Sequence, residues 1–318
     1  MLPDRANLLC VLKILEEYSD PEHILPMREI IGKMKSIYDI DIARRAVYGA
    51  MELLKQLGYD ISTYEENDRG YYLRSRLFEP SELRLLTDAV FSFPFIAEDQ
   101  SSKLIEKLQS TGSVHQRKRY RNLSVPRAAK KTRNKQVFLN IELLDEAIGT
   151  QRKVHFTYLT YDARKDLTPR REEPYTVSPY RMVYTNEHYY LACRLSGYTD
   201  TSFYRIDRMR DISIDEDTAE MPQEGLSTLV DSAVYAFSGF PEKVMFAFEK
   251  SILNDVIDRF GPEITLTEEG DRFLARIEVP PQGVRFWALQ YLPYVEVIEP
   301  SWLREQVIDS IRANRYGV

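Results

Sequence analysis

The chain of 318 residues is 43% hydrophobic and 29% charged, with a net charge of −6 at pH 7. That length suits two or three modest domains with separate cores, and no apolar run approaches the roughly 20 residues that a membrane helix needs. Asp4 breaks any signal-peptide pattern, and Cys10 and Cys193 each sit inside an apolar pattern as reduced core residues; a cytoplasmic location is expected and a disulfide is not.

The average charge hides an asymmetry. Residues 116–135 carry nine Lys or Arg and no acid, whereas residues 216–318 carry nine basic and eighteen acidic groups. Nucleic-acid binding depends on a local basic surface and not on the sum over the chain. An acidic total therefore does not exclude it.

Leu8, Leu9, Leu12 and Leu15 repeat at helical spacing, and Asp20-Pro21 ends that helix. Pro26 sits where a first helical turn tolerates it, and Ile30, Ile31 and Met34 continue an apolar face to about Ile37. Asp41 is placed to cap a third helix that buries Val47, Ala50, Met51, Leu54 and Leu57 and stops at Gly58. Residues 59–64 and 71–74 then read as two strands around a turn-rich tip at 65–70. Three short helices and a hairpin outline a winged helix-turn-helix over residues 1–78. Arg44, Arg45 and Tyr48 fall on the first turns of helix three, opposite its apolar stripe, where base and phosphate contacts are needed. Arg69, Arg74 and Arg76 of the hairpin are placed to touch phosphates beside the groove. A small helical bundle with Arg44 and Arg45 on a solvated face fits the same pattern.

The runs Ala43-Arg44-Arg45-Ala46-Val47-Tyr48, Leu53-Leu54-Lys55-Gln56-Leu57-Gly58-Tyr59-Asp60-Ile61 and Gly70-Tyr71-Tyr72-Leu73 resemble the winged-helix module of WYL-domain regulators. Ala46 stands where that group commonly has Thr, which removes one candidate phosphate contact.

Phe78 to Ser81 marks a boundary, with Ser81 as a cap for a helix through Leu83, Leu86, Val90 and Phe91, and Ser101 to Leu108 gives another. The basic groups Arg117, Lys118, Arg119, Arg121, Arg127, Lys130, Lys131, Arg133 and Lys135 follow without periodicity. Residues 79–138 thus form a helical and basic linker, read either as a solvated connection or as a phosphate-contacting arm.

From Asn140 a helix through Ile141, Leu144, Ala147 and Ile148 leads into strand-like runs at 154–158, 174–183, 188–195 and 202–208. One helix and several short strands predict a small, strongly bent sheet or partly open barrel over 139–215. Tyr189-Tyr190-Leu191-Ala192-Cys193-Arg194 and Phe203-Tyr204-Arg205-Ile206-Asp207-Arg208-Met209 resemble the signature strands of WYL domains. Tyr189 stands at the family's Trp, and Tyr158 and Pro179 fall at its aromatic and its proline. The resemblance implies an Sm-like fold and a nucleic-acid or nucleotide-like effector. Strand alternation independently puts Tyr190 and Arg194 on one face and Tyr189, Leu191 and Cys193 on the other. Arg205 projects opposite Tyr204 and Ile206, and Arg208 falls on the core side. Arginines beside tyrosines suit an anion with a flat ring, because guanidinium forks onto phosphate and aromatic rings stack on bases. The candidate effector site is Tyr158, Ser178, Tyr180, Tyr190, Arg194, Arg205 and Arg208. The opposing reading pairs Arg205 or Arg208 internally with Asp207 or Asp211.

After a turn-rich stretch at 222–239, residues 240–318 alternate strand, helix, strand, helix, strand, helix, with strands at 242–248, 273–279 and 295–300. This order resembles the ferredoxin-like extension that follows WYL domains and implies dimer contacts. Its acidity fits folding against the basic stretch in an autoinhibited state.

The four histidines have no metal-ligand spacing, and neither a Gly-rich phosphate loop nor a G-x-S-x-G elbow occurs. The expected protein is α+β and multidomain, a homodimeric DNA-binding transcriptional regulator, not an enzyme, without metal or cofactor. Its partners are double-stranded promoter DNA and a single-stranded nucleic acid or nucleotide effector, with no membrane. The competing reading is an RNA- or single-stranded-DNA-binding accessory protein whose N-terminal helices only dimerise.

Overall fold

A computed structural model describes residues 6–119, 131–185, 187–220 and 241–315, and divides them into two units at residue 133. The fold is mixed α+β. Arg121, Arg127 and Lys130 of the basic stretch, the side chain of Arg119, and the stretch at 222–239 lie outside the described residues.

The first unit opens with α1 (Asn7–Tyr18), α2 (Met27–Tyr38) and α3 (Arg44–Gln56). Val11, Ile14 and Leu15 of α1, Ile30 and Met34 of α2, and Val47 and Leu54 of α3 are buried in one core. The apolar spacing thus dictates which faces meet. Asp41 does not cap α3: that helix starts at Arg44 after an extended Ala43, and Asp41 instead accepts from Lys35 Nζ at 2.8 Å. A long flexible cation on α2 reaches the carboxylate and takes it from the helix terminus. The other end stops at Gly58 as expected, but Leu57, expected in the buried stripe, lies beyond the helix and is exposed. Gly58, at φ 93°, donates to the Lys55 carbonyl at 2.9 Å and Tyr59 to that of Leu54 at 3.0 Å, which closes the helix in a left-handed turn that glycine adopts without strain.

The hairpin is shorter than expected. β1 (Ile61–Ser62) pairs with β2 (Tyr72–Leu73), and one helical turn, α4 (Tyr64–Asn67), occupies the tip. Asn67 explains this. Its Nδ2 donates to the Thr63 and Gly70 carbonyls at 2.7 and 3.0 Å, and its Oδ1 accepts from the Arg69 and Gly70 N–H groups. A side-chain amide here replaces ladder bonds. Next to it, Leu25 and Tyr71 exchange backbone hydrogen bonds of 2.9 Å, and a Cβ on Gly70 would lie 2.3 Å from the Leu25 carbonyl oxygen.

Beyond follow α5 (Pro80–Ser92), α6 (Glu98–Gln109) and α7 (Val114–Arg119). The cap of α5 is Glu79 and not Ser81, with Glu82 Oε2 accepting from the Glu79 N–H at 2.9 Å. Asp20, buried after α1, accepts from Ser113 Oγ at 2.6 Å and from His23 Nδ1 at 2.8 Å, and the His23 ring stacks on His115 at 3.5 Å.

The second unit begins with α8 (Val137–Gly149), packed on a six-stranded sheet that curls into a half-barrel. Its strands are β3 (Arg152–Tyr161), β4 (Leu167–Pro169), β5 (Tyr175–Thr185), β6 (His188–Leu195), β7 (Thr201–Arg205) and β8 (Met209–Thr218). The order is β4-β3-β5-β6-β7, with β8 pairing on β3. β8 was not among the expected strands. Asp211, at φ 57°, and two register shifts interrupt its alternation. The run expected as a strand to 208 ends at Arg205, and Ile206–Arg208 forms a turn of 3₁₀ helix. Two asparagines hold that turn. Asn140 Nδ2 donates to the Ile206 and Met209 carbonyls at 3.2 and 2.9 Å, and Asn134 Nδ2 to those of Asp207 and Met209 at 3.0 and 2.7 Å.

The chain then forms β9 (Glu242–Glu249), α9 (Leu253–Phe260), β10 (Thr265–Glu269), β11 (Arg272–Val279), α10 (Pro281–Gln290), β12 (Val295–Glu299) and α11 (Ser301–Arg312). The antiparallel sheet has the order β10-β11-β9-β12. β10 adds a fourth strand to the three expected. It is an edge strand with mostly exposed side chains, so it carries no apolar alternation to read. Phe246, Phe248, Val256, Val284, Trp287 and Leu303 fill the core against it.

Candidate nucleic-acid interface

Helices α2 and α3 and the hairpin enclose an open concavity of about 1090 Å³. Arg28 from α2, Arg44, Arg45 and Lys55 from α3, and Arg69 from the hairpin tip line it, against Glu52 and Glu65. All five cations are exposed, and none has a carboxylate partner closer than 4 Å among the described residues. The first N–H groups of α3 open beside Arg44 and Arg45 without a side-chain cap. Unsatisfied donors at the positive end of a helix, next to guanidinium groups, favour an anion.

Tyr48 connects the two sides of this concavity. Arg44 donates to its hydroxyl through Nη2 at 3.0 Å, and its ring meets that of Tyr71 edge-on, with centroids 6.2 Å apart. The Tyr71 hydroxyl and then Arg44 hold the Tyr48 phenol below its ordinary range, while burial and Tyr48 push Tyr71 up to about 12. The arrangement fixes the first turn of α3 against the base of the hairpin.

The structure thus gathers Arg44, Arg45, Tyr48 and Arg69 on one face, and adds Arg28 and Lys55, which the sequence reading missed. Arg28 is one residue into α2 on its exposed side, and Lys55 sits two turns after Tyr48. At least four expected phosphate contacts are otherwise engaged, Arg117 by the Gln109, Ser110 and Gly112 carbonyls. Arg74 pairs with Asp60 at 3.1 Å and with Glu66. Arg76 donates to the carbonyls of Leu15, Glu16 and Ser19, where it neutralises the negative end of α1. Lys131, in the basic stretch, donates to the Val90 and Phe93 carbonyls at 3.3 and 2.9 Å and to Ser101 Oγ at 2.8 Å; burial lowers its pKa. It is a helix-end clasp and not part of an arm.

The second face lies on the half-barrel. Leu191 and Cys193 point into the core with Tyr189 packed against it, and Tyr190 pairs across from Arg205, so the expected division of β6 into two faces is the one observed. Of the expected effector residues, Tyr158, Ser178 and Tyr180 are buried. Tyr158 belongs to an aromatic cluster with Phe156, Tyr175 and Tyr204, and its hydroxyl accepts from the Arg205 N–H at 3.3 Å. These three side chains are packed into the sheet.

Arg205 binds Asp207 through two parallel bonds, Nε to Oδ1 at 3.0 Å and Nη2 to Oδ2 at 2.7 Å. This is the internal pair that the sequence left as the opposing reading. Burial works against the Arg205 charge, and Asp207 more than restores it. Arg194 pairs with Glu220. Arg208 is not on the core side; the 3₁₀ turn carries it to lie over Tyr161, 5.6 Å from the ring centroid. Its Nε and the Nδ1 of His188 are buried without a hydrogen-bond partner. Burial, then Arg205, lowers the pKa of His188. Arg205 and Arg208 therefore form a half-buried cluster around one carboxylate, with Tyr190 and His188 beside them.

Among the described residues no group of three or more His, Cys, Asp or Glu is placed to hold a metal ion, and no helix is long and apolar enough to cross a membrane. Residues 140–214 match the family model "WYL domain", and residues 241–313 match "WCX domain". Among solved structures, the chain is similar to "Proteasome accessory factor B/C (PafBC) of Arthrobacter aurescens", at 18% identity and TM-score 0.27, over 98% of this chain and 47% of that one. It is also similar to a "CRISPR Cas-related protein", at 14% identity and TM-score 0.38, over 97% of this chain and 84% of that one. The chain spans about half the length of the first of these. No curated protein matches it.

Proposed function

We propose that the chain, whose residues 140–214 match a WYL domain and 241–313 a WCX domain, is a DNA-binding transcriptional regulator of the WYL-domain kind and not an enzyme. On this reading residues 6–78 are a winged helix-turn-helix, α3 enters the major groove, and the hairpin lies along the neighbouring phosphates. The observation that carries the proposal is the concavity lined by five cations, along which α3 runs from its uncapped start at Arg44 and Arg45 to Lys55 in its last turn. Duplex DNA offers a dense row of phosphates to such a surface, and local charge outweighs the acidic total.

The WYL domain, on the same reading, senses a nucleotide-like anion at Tyr190, Arg194 and Arg208, with Arg205 held beside them by Asp207. The WCX domain, read as a ferredoxin-like unit with the strand order β10-β11-β9-β12 in support, supplies the contacts of a homodimer on the same reading.

Selection of bound sequences from random duplex DNA tests the main proposal, with binding compared between duplex and single strands. Enrichment of a two-part duplex motif is expected. Retention of single strands only, with no duplex motif, would replace the regulator by an accessory protein for RNA or single-stranded DNA. Light scattering that gives the mass of one chain at micromolar concentration would remove the homodimer.

A further inference from the structure

Glu220 stands where β8 has ended and the stretch toward the WCX domain begins. Its backbone N–H donates to Ser178 Oγ at 2.9 Å, and the preceding Ala219 N–H donates to the Gln151 carbonyl at 2.7 Å. These bonds hold Glu220 against the strands that carry Lys153, Ser178 and Arg194. Its carboxylate bridges two cations from different strands. Lys153 Nζ lies 3.2 Å from Oε1, and Arg194 Nη2 meets Oε2.

The exposures are unequal. The Lys153 and Arg194 side chains are 16% and 23% exposed, whereas that of Glu220 is 58% exposed. The cations are built into β3 and β6, and the carboxylate lies on top of them. Two desolvated cations facing one carboxylate leave a surplus positive charge, which is costly to bury and attracts a second anionic oxygen. A phosphate group fits this set better than a carboxylate does. It brings up to two charges, and it accepts the forked guanidinium and the point-charge ammonium together.

We propose that Lys153 and Arg194 form a phosphate subsite of the WYL domain, and that Glu220 is its built-in occupant, displaced when an effector phosphate enters. This rests on the reading of the WYL face as an anion sensor and specifies how that sensor is held empty. Displacement breaks the two ion pairs that hold the Glu220 carboxylate on these cations.

Calorimetric titration of the full chain tests this with inorganic phosphate, thymidine monophosphate and thymidine as probes. The variants are Glu220→Gln, Lys153→Ala, and Glu146→Gln as a control that removes the same charge from an exposed position on α8. Circular dichroism verifies that each is folded. Thymidine monophosphate is expected to bind and thymidine to fail. Glu220→Gln is expected to tighten binding about five- to tenfold, the worth of two partly exposed ion pairs, while Glu146→Gln changes it by less than about twofold. Lys153→Ala is expected to weaken it at least tenfold. Equal affinity in wild type and Glu220→Gln, with loss in Lys153→Ala, would overturn the displacement and keep the subsite. Wild-type affinity in Lys153→Ala would overturn the subsite and keep a sensor elsewhere on the face. Absence of binding by every phosphate probe, to wild type and to Glu220→Gln alike, would overturn the sensor reading and this inference with it.

Discussion

Neutralising single arginines on the winged-helix face separates cations that meet DNA from cations that only stand near it. Each phosphate neutralised on duplex DNA releases counterions and contributes about −0.9 to the slope of log K against log salt. If Arg28, Arg44, Arg45, Lys55 and Arg69 each meet one phosphate, the slope is about −4.5 per chain, or about 500-fold weaker binding from 50 to 200 mM salt. Arg45→Gln and Arg69→Gln should each flatten the slope by about 0.9, because neither has a carboxylate partner among the described residues. Arg74→Gln should flatten it by close to zero, because Asp60 and Glu66 already balance that charge. Fluorescence anisotropy of a labelled duplex, titrated at four or five salt concentrations, measures all three slopes. An Arg74→Gln slope as flat as that of Arg45→Gln, or an unchanged slope in both Arg45→Gln and Arg69→Gln, would refute the assignment of this face.

Four further outcomes follow from the geometry. Asp207→Asn leaves the half-buried Arg205 guanidinium without its charge partner, and breaking such a pair from one side should cost about 3 kcal/mol; urea unfolding measures it, and a loss below about 1 kcal/mol would contradict the pair. His115 has its pKa lowered by burial and by the stacked His23, so its unfolded form binds a proton first and stability falls as pH drops below about 6.5. His115→Gln should remove that part of the fall. Asp20 behaves separately: burial raises its pKa, but hydrogen bonds from Ser113 and His23 outweigh this and hold it lowered. Its contribution is present above its ordinary value of 3.8 and is lost as pH falls through the depressed one. A thermal melting series across pH separates the two groups. Gly70→Ala would set a Cβ 2.3 Å from the Leu25 carbonyl oxygen. Backbone on both sides cannot give way as a flexible side chain does, so a loss of about 2–3 kcal/mol is expected, and an unchanged melting temperature would show that the hairpin base is looser than described.

Apolar spacing made the three N-terminal helices and the faces of β6 legible, because burial is periodic and large. Leu191 and Cys193 had to face the core, and Tyr190 and Arg194 had to share the opposite face. The elements that escaped are governed by single polar contacts. Asn67 converts the hairpin tip to a helical turn, and Lys35 draws Asp41 from the start of α3. β10 escaped because an exposed edge strand has little apolar signal. Charge was the least legible property. Arg76 and Lys131 carry the same charge as Arg45, yet both point at carbonyls at helix ends. Where a long cationic side chain goes depends on unsatisfied oxygens nearby in space, which the order of residues does not display.

The hold of Asn134 and Asn140 on the carbonyls of Ile206, Asp207 and Met209 has a bearing on how the WYL domain opens. Connections between strands ordinarily exchange their amide protons early and accept extra residues with little penalty. This corner cannot, because two side-chain amides from the α8 segment tie it to the earliest part of its unit. Ile206–Arg208 and α8 should therefore melt together as one block, and a residue inserted after Asp207 would be paid for as lost helix as well as a distorted corner.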